Sequence, residues 1–183
     1  MARMIVLIGF SLLALSAGTA AQAPSPDVEK ALAAAPRAAR EAAAVIKWKA
    51  DGTYDTLKAG TSRLVCYDQS GEPNEQPFSV QCTSVGNLDR VKQNKMFEKE
   101  TDRAKRQAAL DAAEKDGTRV KPEFGSVFYT FSGADQATAR LHVTIAVPGA
   151  TTASIGLPDN NKMGGAWIMG AGTLGAHIMT PGS

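Results

Sequence analysis

His142 and His177 are the chain's two histidines, so imidazole chemistry has only two places to occur. His177 has the richer neighbourhood. Met179 follows it at strand spacing, and Met169 and Met163 lie shortly upstream. Thioether and imidazole are soft ligands that together suit copper, which makes His177, Met179, Met169 and Met163 candidate metal ligands. The competing reading is that strand methionines fill gaps in a core, and it predicts no copper. An enzyme would need a nucleophile or paired carboxylates near a histidine; Asp159 and His177 could meet, but the roles of a hydrolase stay unfilled. No G-x-S-x-G, H-E-x-x-H or phosphate-cradling lysine loop occurs. His142, beside Thr144 on the polar side of its segment, reads as a surface residue. No catalytic residue is assigned and no cofactor is expected.

Gly170, Gly172 and Gly175 spell G-x-G-x-x-G, the spacing of a dinucleotide-binding turn. That turn needs a helix after it to hold the pyrophosphate and an acidic residue about 20 positions later for the ribose. Only Ala176 to Ser183 follow, with Pro181 among them, so no dinucleotide site is expected here. The alternative is a tight turn joining two last strands, with glycine supplying positive φ.

Cys66 and Cys82 are the only cysteines. Their even count reads as one structural disulfide. They are not C-x-x-C, and a thiolate metal site would need further ligands that are not spaced nearby.

The elements that must position these residues start after an export signal. Arg3 precedes the apolar run 4–15, and small residues 16–23 follow, which is the order of a secretory peptide cut near Ala21. The run is shorter than the roughly 20 apolar residues needed to span a bilayer. Residues 1–21 are therefore expected to be a signal peptide and 22–183 a single domain, periplasmic or secreted, with no transmembrane segment after signal removal. The formal charge is +2, which leaves no electrostatic footprint for nucleic acid. Nothing identifies a partner.

Asp27 is placed as a helix N-cap, with Val28, Leu32 and Ala35 on one face and Pro36 dividing the segment into two helical pieces. Short strands follow at "VIKWK", "TYDTLKAG" and "SRLVCYD", the first two joined by an Asp-Gly turn. "FSVQC" resumes strand character. Residues 87–116 are expected to form one long solvated helix, capped by Asn87 and ended by Gly117. "GSVFYTFSG" and "RLHVTIAVP" alternate as paired strands, and "AWIMG" and "LGAHIMT" supply two more. Strands in pairs and helices in blocks give an α+β fold with a mostly antiparallel sheet.

"GGAWIMGAGTLGAHIMTP" resembles the C-terminal signature of a family of uncharacterised exported bacterial proteins. Gly164, Gly165, Trp167, Met169, Gly172, Thr173, Ala176, His177, Met179 and Pro181 match that signature. Ala166 stands where the family has proline, and Leu174-Gly175 where it has Pro-Tyr. "AAAPRAAREAAAVIKW" and "LKAGTSRLVCYD" resemble its N-terminal half, although Leu64 and Val65 replace an expected tryptophan. The resemblance implies an exported single-domain protein and carries over no catalytic residue. A non-catalytic binding or structural module of the envelope is the expected role, with a hydrolase-type enzyme or a copper protein using His177 as the alternative.

Overall fold

A computed structural model describes residues 25–180; the expected signal peptide, 1–21, and Pro181 lie outside that range. Eight strands form one sheet in the order β2-β1-β3-β4-β5-β6-β8-β7. They are β1 Ala44–Trp48, β2 Tyr54–Lys58, β3 Leu64–Asp68, β4 Phe78–Ser84, β5 Val127–Gly133, β6 Arg140–Ala146, β7 Trp167–Met169 and β8 His177–Met179. The fold is α+β and the sheet is antiparallel except where β1 runs parallel to β3. Gly60 makes that one parallel pair possible. A Cβ there would stand 2.3 Å from the Ala44 nitrogen, so only glycine lets the chain leaving β2 cross so close to the start of β1. Just beyond it, the Thr61 and Ser62 amides both donate to the Ala42 carbonyl, and β3 is delivered to the far side of β1.

Alternation along the strands sends side chains to two faces, and both are covered at the centre of the sheet. On the first face Val45, Cys66, Val80 and Cys82 pack against Val28 and Leu32. These belong to α1, Pro26–Ala31, and the 3-10 turn after it. On the second face Ile46, Val65 and Tyr67 pack against Leu88 and Val91 of α2, Leu88–Glu98. Each such side chain contributes roughly 1.5–3 kcal/mol on burial, and the two clusters clamp β1, β3 and β4 between helices. A third cluster, Val147, Ala150, Ile168 and Ala176, with Ile155 of the short α4, Thr152–Ile155, holds β7 and β8.

Cys66 and Cys82 are direct partners across β3 and β4, with sulfurs 2.09 Å apart. The Val85 amide donates to Arg63 and the Gln69 amide to Ser79, which marks the pairs 63/85 and 69/79 as hydrogen-bonded. Alternation then makes 66/82 a non-hydrogen-bonded pair, the type in which opposed residues approach closest.

The N-terminal segment divides at Pro36, as its sequence predicts, but Asp27 is not the cap. Ser25 stands at the N-cap with Pro26 at the first helical position, and Asp27 lies inside the first turn, where its charge complements the helix dipole.

The expected single helix over 87–116 is corrected to two, α2 and α3, Arg103–Lys115. Asp102 breaks the run. Its carboxylate accepts from the Ala104 and Lys105 amides, while its own amide donates to the Glu100 carboxylate. These local side-chain bonds offer the backbone an alternative to the helix ladder, and they override the propensity of the flanking residues. Gly117 follows α3 at φ 70°, the left-handed C′ position expected of it. Asn87 precedes α2 but makes no capping bond; its side chain is instead fully buried. Among the described residues no helix is long and apolar enough to cross a membrane.

Candidate functional site

Beyond the cover of α2, the second face of the sheet opens into a cleft of about 260 Å³. Strand register assembles it. Gln81 lies opposite Thr130, Phe128 opposite Thr144, and Ala146 opposite His177, so residues from β4, β5, β6 and β8 reach one surface. Arg90 and Asn94 overhang it from α2, one helical turn apart.

Hydrogen bonds fix which atoms are available. The Tyr67 hydroxyl donates to Gln81 Oε1, and Gln81 Nε2 donates to Thr130 Oγ1 over 2.8 Å. Burial pushes the Tyr67 phenol well above its ordinary value, so Tyr67 stays a neutral donor and Gln81 is held in one orientation. The Thr130 proton is left to point elsewhere. Asn94 Oδ1 accepts from Arg119 Nη2 over 2.6 Å, which leaves the Asn94 NH₂ as its available end. Arg90 Nη1 donates to the Val120 carbonyl over 2.6 Å; its Nε and Nη2 donate to no acceptor among the described residues. His177 Nδ1 lies 2.8 Å from the Gly175 carbonyl.

The charges of the site are one-sided. Arg90 and Arg119 are each only 9% exposed, and neither forms an ion pair among the described residues. Burial lowers the Arg90 guanidinium from its ordinary value, with Glu114 opposing the shift. Burial, and then the Arg90 charge, bring Arg119 down to about 10. Glu114 compensates from a distance, its carboxylate being engaged by the Leu174 amide. No carboxylate lines the cleft. The unused Arg90 Nε and Nη2 face the open cleft, since among the described residues only Trp48 Nε1 is an enclosed side-chain N or O without a partner, and that edge is free to take an anion.

A larger groove of about 450 Å³ lies between Trp48, the turn at Asp51 and α2, lined in part by Lys92, Lys95 and Lys99. Its cations have acids among them: Lys95 pairs with Glu72 and Lys49 with Asp55. Size favours the groove, but a guanidinium without an ion pair favours the Arg90 cleft, and an unpaired charge is the better guide to a ligand.

The sequence candidates divide. His177 lines the cleft. Met169 lies directly opposite it, and Met179, paired with Thr144, shares its face. Met163 stands apart on an exposed turn at 80% exposure. The structure therefore brings together His177, Met169 and Met179 at the level of strand register and leaves Met163 out. Arg90 works against a cation here, because its Nη2 lies 3.8 Å from where a Gly175 Cβ would stand, beside the residue that anchors His177. Asp159 accepts from Asn160 on its own loop and does not line the cleft. His142 is partly buried opposite Thr130, on the cleft's face but outside its lining. Gly170 and Gly172 hold φ of 66° and 83° in the turn between β7 and β8, and Thr173 closes it through its amide and hydroxyl to the Gly170 carbonyl. This is the tight turn expected in place of a nucleotide loop. Among the described residues no group of three or more His, Cys, Asp or Glu gathers as a metal site.

Arg90, Asn94 and Gln81 were not candidates in the sequence. Arg90 sits between Leu88 and Val91, the helix's two buried apolar residues, and that flanking is the one signal that could have marked it as buried. No protein-family description, curated protein or solved structure matches this chain.

Proposed function

We propose that this is an exported protein of the bacterial cell envelope that acts as a non-catalytic binding module, capturing a small anion in the Arg90 cleft. One observation carries the reading: a buried guanidinium with a donor edge unused, in a cleft lined by donors and by no carboxylate. Arginine's planar fork suits a two-oxygen anion better than any other side chain does. The lining hydroxyls, Thr130 and Thr144, form no hydrogen bond to His177 among the described residues, so the nucleophile-to-base contact that a hydrolase uses is not made. Export is supported by the order of charge, apolar run and small residues at the N-terminus, and a disulfide is the kind of crosslink that persists outside the cytoplasm.

Two measurements test this. N-terminal sequencing of protein recovered from the envelope is expected to begin near residue 22, and an intact Met1 would overturn export. In calorimetric titration, acetate, phenylacetate or inorganic phosphate should bind with one-to-one stoichiometry. Arg90→Lys, which keeps the charge but loses the fork, should weaken that binding at least about tenfold, or roughly 1.4 kcal/mol. If no anion of the three binds the parent protein, the cleft is not an anion receptor.

A further inference from the structure

The lone pairs of the cleft say more about the ligand than its positive charge does. A carbonyl oxygen can only accept, so the 2.8 Å contact between His177 Nδ1 and the Gly175 carbonyl requires the proton on Nδ1. In the neutral imidazole Nε2 is then an acceptor. The other side-chain acceptors that line the cleft are engaged: Gln81 Oε1 by Tyr67 and Asn94 Oδ1 by Arg119. Apart from the two threonine hydroxyls, His177 Nε2 is the one acceptor still to be matched.

Arg90 is matched on one side only. Its Nη1 is held by Val120, and the unused Nε and Nη2 form the side-on edge of the guanidinium. Two parallel N–H groups on that edge fit the two oxygens of one carboxylate. Arg119 adds positive potential but no second fork, since its Nη groups are held by Gln93 and Asn94. One available fork balances one negative charge. Phe128, Pro122, Ala146 and Ala176 give the cleft one apolar wall, beside the Thr130 and Thr144 hydroxyls and the Asn94 NH₂, so the ligand needs an apolar body as well as its charge.

Resting on the anion reading above, we infer that the ligand is a compact hydroxycarboxylate. Its carboxylate takes the Nε/Nη2 edge of Arg90, and its hydroxyl donates to His177 Nε2. Its apolar body lies on Phe128, within a volume of about 260 Å³. Gly175 spaces the two polar contacts, because its missing Cβ leaves the approach to Arg90 Nη2 open.

Mandelate, its deoxy analogue phenylacetate, and inorganic phosphate are the probes, titrated into the full chain at mildly alkaline pH. Mandelate is expected to bind about tenfold tighter than phenylacetate, the scale of one hydrogen bond gained by a part-buried acceptor. His177→Asn retains an N–H for the Gly175 carbonyl and has nothing at the Nε2 position. It should bring the ratio of the two acids to about one while phenylacetate affinity holds. Gly175→Ala places a methyl 3.8 Å from Arg90 Nη2; it should weaken both acids and leave their ratio intact. Equal binding of the two acids to the parent protein would overturn the hydroxyl assignment and leave the anion reading standing. Phosphate binding more tightly than both would overturn the carboxylate assignment. Binding of none would sink the anion reading itself.

Discussion

Refolding the protein in excess reductant is expected to lower its melting temperature by roughly 6–12 °C, and Cys66→Ser should do at least as much. The loop closed by Cys66 and Cys82 spans a sequence separation of 16. A loop of that length stabilises by about 3 kcal/mol through the unfolded state's lost freedom, and each kcal/mol moves a domain of this size by roughly 2–4 °C. The serine variant adds a second cost. Position 66 is fully enclosed, among Val45, Val80 and the residues of α1, so the new hydroxyl would be buried against hydrocarbon. Calorimetry of oxidised and reduced protein measures the effect. A shift under about 2 °C, or two titratable thiols in unfolded, unreduced protein, would contradict it.

That crosslink was legible in the sequence because its determinants are local. Each cysteine sits within an alternating segment that shows its inward face, with Leu64 beside one and Val80 beside the other. The same alternation announced β5 and β6, whose register pairs Val127 with Ile145 through to Ser132 with Arg140. The parallel pairing of β1 with β3 was not legible, because it depends on where Gly60 lets the chain cross, which no periodicity records. The break between α2 and α3 was written in the sequence as Asp102. By type it is one more charge on a charged helix, and only its bonds to the Ala104 and Lys105 amides show it to be a cap.

The candidate site was half legible for the same reason. A lone histidine near the chain's end draws notice by its type. Arg90 does not, since arginine on a helix rich in both charges reads as a solvated side chain. Its burial comes from the Leu88 and Val91 packing that draws α2 down onto the sheet. Gln81, Thr130 and Thr144 were visible as the polar alternates of their strands. Their convergence follows from strand pairings such as 81 with 130, across 49 residues of chain. Spacing within a segment cannot report a contact of that range.

Asn87→Ala is expected to destabilise the fold by about 3 kcal/mol and to weaken ligand binding with it. The side chain is fully buried. Its Nδ2 donates to Thr83 Oγ1 and Ser126 Oγ, each over 2.9 Å, and its Oδ1 accepts from the Glu123 amide over 2.8 Å. Alanine leaves three polar groups with a lost partner. A buried group left unsatisfied costs about 1–3 kcal/mol, but the two hydroxyls can re-aim, as Ser126 already does toward the Glu123 carbonyl. The Glu123 amide cannot turn, so it bears most of the cost. Binding should suffer because Asn87 joins the parts that build the cleft. It stands just before α2, three residues ahead of Arg90, and through the Glu123 amide it ties down the 120–123 segment that supplies the Val120 carbonyl to Arg90 and Pro122 to the wall. Asn87→Asp keeps the acceptor for the Glu123 amide and so should lie between alanine and the parent protein in stability. Denaturant unfolding of the three proteins, with phenylacetate titrated into each, measures both effects. A loss below about 1 kcal/mol for alanine, or unchanged affinity alongside the full loss of stability, would show that Asn87 does not couple this packing to the cleft.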